Sequence, residues 1–175
     1  MLVHVLACDY DGTIAVDGRV ADATKAALAR VRESGRKLVL VTGRMLPDLR
    51  RVFPDIDHIF DAIVAENGAV LYLPAAREIR TLGEAPEATL VDALRRRNVP
   101  FALGSSIIET MARFAEPALA AIRETEVERT LVFNRESMML LPGGITKGTG
   151  LEAALDAMEL SIHNVVGIGD AENDH

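Results

Sequence analysis

The stretch LVHVLACDYDGT, residues 2–13, decides the fold. Its first seven residues form an apolar run, which predicts a strand buried on both faces, as in a parallel sheet. Two carboxylates, Asp9 and Asp11, follow at once, where open α/β sheets carry their binding sites. Gly12 permits a tight turn that brings a backbone amide close to an anion. The stretch therefore predicts an α/β protein with an acidic site at the end of its first strand.

Two later apolar runs resemble the first. Residues 37–41 lead into Thr42-Gly43-Arg44, and residues 164–168 lead into Gly169-Asp170. Helical periodicity in residues 21–34 and 147–159 accompanies them, and strand–helix–strand repetition predicts right-handed crossovers and a parallel, Rossmann-like sheet. The strand ends then share one crevice, which is expected to collect Asp9, Asp11, Thr42, Lys147 and Asp170.

The middle of the chain has a different pattern. Glu66-Asn67-Gly68 separates the apolar runs 62–65 and 69–73, and Asn-Gly between such runs is a strong hairpin signal. Mixed helix and strand patterns then continue to residue 141. We therefore expect a discontinuous core, residues 1–74 and 142–175, with a small α+β insert over residues 75–141.

Composition excludes several classes. A chain of 175 residues suits one domain or a core with a small insert. The net charge of −7 argues against a nucleic-acid binder. Cys8 is the single cysteine and cannot form an internal disulfide. The N-terminal apolar run is too short to span a membrane. A cytoplasmic protein with neither nucleic-acid nor membrane partners is expected.

The acidic residues have ordinary explanations as well. Asp-Gly is common in turns, and the Asp170 segment would also suit a helix cap. However, Asp9, Asp11 and Asp170 in one crevice would repel one another unless a cation were present. Hard oxygen ligands with room for waters suit Mg²⁺.

Lys147 is expected to open a helix, where the macrodipole disfavours a cation by a few tenths of a kcal/mol. The placement makes sense if Lys147 holds a phosphate oxygen. Thr42 and the Gly43 amide can add donors, although alone they are an ordinary strand exit. Arg44 is near enough to the crevice to act there, whereas Arg51 is expected outside it.

These pieces, in this order, resemble the haloacid dehalogenase-like phosphohydrolase superfamily. The resemblance rests on Asp-x-Asp-Gly-Thr at residues 9–13, on residues 40–44, on Lys147 and on Gly169-Asp170-x-x-Asn173-Asp174. Residues 66–69 and the position of the insert resemble the Cof-like branch with type-2 caps. That branch includes sugar phosphatases, phosphoglycolate phosphatases and mannosyl-phosphoglycerate phosphatases.

The resemblance implies a Mg²⁺-dependent phosphatase for a small phosphorylated metabolite, a sugar phosphate or a phosphoglycolate-like acid. Asp9 would be the nucleophile that forms an aspartyl-phosphate, and Asp11 the general acid and base. The metal would bind the Asp9 carboxylate, the Asp11 carbonyl and the Asp170 carboxylate, with Asp174 supporting it from behind. The phosphoryl group would be held by Thr42, Gly43, Lys147 and Asn173. The insert would cover the crevice as a cap.

Other hypotheses remain open. The family usually continues past Asp174 with another helix and strand, whereas this chain stops at His175. A fragment of a longer polypeptide is therefore expected, and a phosphate-binding regulatory domain with little turnover is the alternative function. A receiver-type phosphoacceptor module also uses clustered Asp and a Lys, but the Thr-Gly-Arg step, the insert and the late Gly-Asp-x-x-Asn-Asp disfavour it.

Overall fold

The computed structural model describes residues 3–170 of the protein. The strands of this part of the chain are, in order, β1 (Val5–Asp9), β2 (Ala15–Val16), β3 (Arg19–Val20), β4 (Lys37–Val41), β5 (Ala62–Ala65), β6 (Val70–Leu73), β7 (Glu78–Thr81), β8 (Ala102–Leu103), β9 (Ile108–Met111), β10 (Arg129–Asn134), β11 (Ser137–Pro142) and β12 (Val165–Ile168). The helices are α1 (Asp22–Glu33), α2 (Leu46–Val52), α3 (Ile56–Ile59), α4 (Ala88–Arg96), α5 (Ala115–Thr125) and α6 (Lys147–Ala157).

The larger sheet has the strand order β12-β1-β4-β5-β6-β7. Strands β12, β1, β4 and β5 are parallel, whereas β6 and β7 run antiparallel to their neighbours. Apolar clusters cover both faces: one includes Leu28 of α1 and Leu49 of α2, and the other Leu155 of α6. The arrangement confirms the α/β class and the hairpin at residues 66–68.

The register of the parallel strands brings their ends together. Asp9 of β1 lies opposite Val41 of β4, and Cys8 lies opposite Ile168 of β12. The residues that follow these strands therefore share one edge of the sheet, as the strand–helix–strand pattern predicts.

The smaller sheet belongs to the expected insert and has the order β10-β11-β9-β8, antiparallel throughout. Helices α4 and α5 pack on one face through buried residues such as Leu94 and Ala118. On the other face, Met139 and Leu141 of β11 pack with Met45 and Ala69 of the core. The insert thus sits against the part of the core that follows β4 and β5. We call it the cap.

The strand pairing moves one expected boundary. Strand β7 pairs with β6 in the larger sheet, with Ile79 opposite Tyr72, so the boundary expected between residues 74 and 75 falls inside a core hairpin. All four residues of β7 are exposed, and its sequence has no alternation of apolar and polar residues that would predict a strand. We place the first crossing to the cap near Leu82-Gly83, and retain the second near residue 142 as a prediction.

Among residues 3–170, no helix is both long and apolar enough to cross a membrane.

Candidate active site

A polar cavity of about 900 Å³ lies between the strand ends of the core and the cap sheet. The site residues predicted within the described chain all line it: Asp9, Asp11, Thr42, Gly43, Lys147 and Asp170. Asn173 and Asp174 lie outside the described residues. The six residues were therefore assigned to one crevice correctly from the sequence, and the chemical role of each residue remains a prediction.

Asp9 and Lys147 form an ion pair at the floor of this cavity. The Lys147 ammonium donates to Asp9 Oδ1 at 2.9 Å, and both side chains are more than nine-tenths buried. Lys147 opens α6, which is capped by the Thr146 side chain accepting from the Thr149 amide. The helix start thus delivers a positive charge to the end of β1, where an anion would be stabilised.

Asp11 has a different partner. Both of its carboxylate oxygens accept hydrogen bonds from Arg44, at 2.7 Å from Nε and 2.7 Å from Nη2. The guanidinium also lies 5.3 Å from the ring centroid of the buried Tyr10. The hydrogen bonds to Asp11 raise the pKa of Arg44. Sequence reasoning placed Arg44 near the crevice but missed this pair, which only the folding of residues 10–13 against the β4 loop reveals.

The loop after β4 is held by hydrogen bonds of the Thr42 amide and side chain. The amide of buried Thr42 donates to Val64 O at 2.8 Å, and Thr42 Oγ1 accepts from the Arg44 amide at 3.1 Å. The Thr42 hydroxyl therefore shapes the loop, and Thr42 also lines the cavity.

Asp170 approaches the loop after β1. Its Oδ1 accepts from Thr13 Oγ1 at 3.4 Å. Gly12 has φ +83°, and a Cβ at this position would lie 2.2 Å from Asp170 Oδ2. Only a residue without a side chain lets the two loops meet in this way.

The oxygen donors fit a magnesium ion. In residues 3–170, no three His, Cys, Asp or Glu side chains lie close enough together to bind a metal ion by themselves. The Asp11 carboxylate is turned to Arg44, which leaves the Asp9 and Asp170 carboxylates as donors on the cavity wall. Mg²⁺ is commonly held by one or two carboxylates, with waters and substrate phosphate completing its shell. The two carboxylates therefore suit Mg²⁺, and the Asp11 carbonyl as a further ligand stays a prediction.

The sequence matches the model of a known family, described as haloacid dehalogenase-like hydrolase, over residues 6–111 and 107–175. The chain belongs to this family of hydrolases.

Several curated relatives of this hydrolase are named phosphoglycolate phosphatase, and another is named glucosylglycerol-phosphate synthase. The hydrolase is 31% identical over 182 residues to a phosphoglycolate phosphatase of Methanothermobacter thermautotrophicus, covering 98% of this chain and 79% of the relative. It is 28% identical to a phosphoglycolate phosphatase of Haloarcula marismortui, covering 97% of this chain and 77% of the relative. A solved haloacid dehalogenase-like hydrolase from Bacteroides thetaiotaomicron shares the fold, with a TM-score of 0.79 and 16% identity over 98% of this chain and 83% of that one.

The cap of the hydrolase supplies the opposite wall of the cavity. Val132, Met139 and Glu109 lie side by side across three strands, and all three line the cavity. Burial raises the pKa of half-buried Glu109, and the nearby charge of Asp48 raises it further, against the opposing effect of Arg44.

Two arginines also reach this cavity. Arg135 comes from the tip of the β10–β11 hairpin. Arg51, expected outside the crevice, lines it as well and pairs with Asp48 at 2.9 Å. The correction arises because α2 begins directly after the β4 loop and carries Asp48 and Arg51 on one face, three residues apart. No sequence signal tied Glu109 or Arg135 to the site, because cap residues reach it only through the tertiary fold.

Proposed function

We propose that this hydrolase is a Mg²⁺-dependent phosphatase that cleaves a small phosphorylated metabolite through a phosphorylated Asp9. The observation that carries the proposal is the buried Asp9–Lys147 pair beside the Asp11–Arg44 pair in one polar cavity. Two acidic groups with different environments suit different roles in one reaction. The phosphatase names of several curated relatives support the same assignment.

In the first half-reaction, a carboxylate oxygen of Asp9 attacks phosphorus. A bond forms between Asp9 and phosphorus while the bond to the ester oxygen breaks, and Asp11 gives a proton to the departing alcohol. Donation requires Asp11 to carry a proton. Since both Asp11 oxygens accept from the guanidinium, at least one Asp11–Arg44 hydrogen bond must open and that oxygen must take up a proton, which in later turnovers is the one taken from the attacking water. Substrate binding is the step at which we expect this pair to open.

In the second half-reaction, water attacks the phosphorus of the aspartyl-phosphate. Asp11 takes the proton from the water, the bond between phosphorus and Asp9 breaks, and inorganic phosphate leaves. Lys147, the Thr42 hydroxyl and the Gly43 amide would hold the phosphoryl oxygens in both steps, because phosphoryl transfer depends chiefly on positioning and charge neutralisation.

The Asp9 and Asp170 carboxylates and the Asp11 carbonyl would hold Mg²⁺. When bound, the ion supplies positive charge for the phosphoryl oxygens. Asp174, as a support behind the metal, and Asn173, as a phosphate donor, remain predictions from the sequence.

The function is tested by hydrolysis of a generic aryl phosphate with and without Mg²⁺, for the wild type and Asp9→Asn. Turnover that needs the metal and is abolished by the substitution is the expected result. Phosphate binding without turnover would instead indicate a phosphate-binding regulatory domain. A stable phosphorylated protein after treatment with acetyl phosphate would indicate a receiver-type module.

The substrate is proposed to be a phosphoglycolate-like acid or a sugar phosphate. Arg135 would suit a substrate carboxylate, whereas Glu109 would suit sugar hydroxyls. Arg135→Gln and Glu109→Gln therefore separate the two classes. An acid substrate predicts that Arg135→Gln raises KM for phosphoglycolate about tenfold, as loss of a charged hydrogen bond would. A sugar substrate predicts that Glu109→Gln raises KM for a hexose phosphate instead.

A further inference from the structure

The turn between β5 and β6, Glu66–Gly68, has no role in the chemistry above, yet it lies where cap and core meet. It is one turn of 3₁₀ helix in which all three residues are buried. Glu66 and Asn67 both have φ +53°, a left-handed conformation that costs energy in residues with a side chain. Such strain persists only where surrounding contacts stabilise it, so the contacts of this turn must offset its cost.

The Glu66 carboxylate reaches into the cap. It is 2% exposed as a residue, and it accepts from the Ser105 amide at 2.9 Å and from the Ser106 amide at 3.0 Å. These serines lie in the loop between β8 and β9. The same loop leaves room for the carboxylate only because residue 104 is glycine: a Cβ there would lie 2.6 Å from Glu66 Oε2. A core carboxylate is thus enclosed by cap backbone.

The backbone of the same turn also holds residues 42–44, the loop after β4 that is proposed to bind phosphate. We call it the phosphate-facing loop. The Glu66 amide donates to Arg44 O at 3.0 Å, and the Asn67 amide donates to Thr42 O at 3.0 Å. Asn67 also contacts the cap, since its side-chain amide donates to the sulfur of Met139 at 2.9 Å. Two consecutive residues therefore bond at once to the cap and to the loop that carries Thr42, Gly43 and Arg44.

The turn also fits against the start of α6. A Cβ on Gly68 would lie 1.9 Å from the carbonyl oxygen of Thr146, the residue before Lys147. The cap, the phosphate-facing loop and the lysine-bearing helix therefore converge on one three-residue turn.

We propose that Glu66 is a positioning residue that couples the seating of the cap to the geometry of the Thr42–Arg44 loop. Hydrogen bonds from backbone amides to a buried carboxylate are stronger than neutral ones. Without that carboxylate, the buried Ser106 amide and the part-buried Ser105 amide would both lose their acceptor, and the cap loop would separate from the turn. The turn would then relax its strain, and with it the loop that it holds. The link to phosphate binding rests on the proposed function, whereas the mechanical coupling does not.

Hydrogen exchange tests the coupling without any turnover. The variants are Glu66→Ala, Glu66→Gln and the control Ser106→Ala. The control loses the bond from Ser106 Oγ to Gly83 O at 2.9 Å but keeps both amides that bond to Glu66. Glu66→Ala should speed exchange at Ser105 and Ser106 about tenfold or more, as loss of a bond to a charged group implies. The decisive expectation is faster exchange at residues 42–44 as well, which the control should leave unchanged. Exchange rates in Glu66→Gln should lie between those of the wild type and Glu66→Ala, because the glutamine side chain can accept from only one of the two amides.

Gly104→Ala provides a second test that does not depend on the folding of Glu66→Ala. The added methyl group collides with the Glu66 carboxylate, so this variant should reproduce faster exchange at residues 42–44. In the Glu66→Ala background the collision is gone, and the same substitution should have little further effect. Such non-additivity is the signature of two residues in direct contact.

Inorganic phosphate, as a competitive inhibitor, supplies the functional measurement. Its inhibition constant should rise about fivefold or more in Glu66→Ala and Gly104→Ala, the lower end of typical coupling between sites, and stay unchanged in Ser106→Ala. A wild-type protein without phosphatase activity would defeat the proposed function but leave the exchange experiment intact. Exchange that rises only at Ser105 and Ser106, with residues 42–44 unaffected in both Glu66→Ala and Gly104→Ala, would overturn the coupling.

Discussion

Asp9 and Asp11 stand two residues apart on the chain and have different surroundings. The Asp9 side chain is 8% exposed and bonds to a lysine, whereas that of Asp11 is 38% exposed and bonds to an arginine. A buried carboxylate against a fixed cation suits a nucleophile that stays in place. A more exposed carboxylate on a side chain that can leave its partner suits proton transfer.

Asp11→Asn should lower kcat by about 10²–10⁴-fold, the usual contribution of a general acid or base. Both half-reactions should slow, because the same side chain gives and takes the proton. Mg²⁺ affinity should be retained, since the proposed metal contact of residue 11 is its backbone carbonyl. Rapid-quench kinetics and metal titration measure the two quantities. Loss of Mg²⁺ affinity in this variant would contradict the assigned role, and Asp48→Asn, also on the cavity wall but paired with Arg51, is the control.

Gly12→Ala should raise the Mg²⁺ concentration needed for activity, because the new methyl group would displace the Asp170 carboxylate. Gly35 is a matched control: its φ is +82°, close to the +83° of Gly12, but nothing lies within 4 Å of its missing Cβ. Both substitutions should cost about 1–2 kcal/mol of stability from backbone strain, measured by denaturant unfolding. An equal Mg²⁺ requirement in the two variants would argue against Asp170 as a metal ligand.

At the level of elements, apolar runs and helical periodicity were sufficient for the parts of the fold that carry the site. Strands β1, β4 and β12 follow from continuous apolar runs, and α1 and α6 from a repeating apolar face. Register then follows from topology, since parallel strands end at one edge. That is why Asp9, Thr42 and Asp170 could be brought to one cavity from the sequence.

Other elements carry no such signal. Strand β7 is exposed throughout, β2 and β3 have two residues each, and α3 has four. Strand β9 pairs across the cap without an apolar run of its own: Glu109 interrupts it. The contacts of Glu66 and Glu109 could not be predicted from the sequence either, because both depend on how the cap packs against the core.

Glu109 of the cap sheet should make the stability of the protein depend on pH. Burial and Asp48 raise the pKa of Glu109 in the folded protein, so ionisation costs stability. The stabilising effect of its bound proton is fully present below the unfolded pKa, about 4.3, and is lost as the pH rises through the folded pKa. Glu109→Gln should therefore raise the melting temperature at neutral pH, with the gain shrinking as the pH falls. Melting curves across this range provide the check, and a gain independent of pH would contradict the cause given.

At the scale of the whole molecule, we place the first crossing between core and cap near Gly83 and predict the second near Pro142, and these two segments lie close together. A Cβ on Gly83 in the first crossing would lie 2.8 Å from Pro142 in the second. Arg129 of β10 holds this junction. Its guanidinium, 0% exposed, donates to Ser106 O at 2.6 Å and to Ala85 O at 2.9 Å, and pairs with Glu87.

Arg129→Met should lower the free energy of unfolding by about 3 kcal/mol, because the buried Ser106 carbonyl would lose its donor at about 1–3 kcal/mol and the part-buried Ala85 carbonyl would lose its donor as well. Arg95→Met is the control, since Arg95 is exposed and its pair with Asp92 should contribute at most about 1 kcal/mol. Urea unfolding followed by circular dichroism measures both. Equal losses in the two variants would show that the junction does not depend on Arg129.

The central claim is that Asp9 itself receives the phosphoryl group. The direct measurement is to quench the enzyme with acid during turnover, reduce any acyl-phosphate with borohydride, and identify the modified residue by peptide mass spectrometry. The account predicts reduction of residue 9 to homoserine, only when substrate and Mg²⁺ were both present, and none in Asp9→Asn. Steady turnover with residue 9 unmodified, or activity that survives in Asp9→Asn, would contradict it.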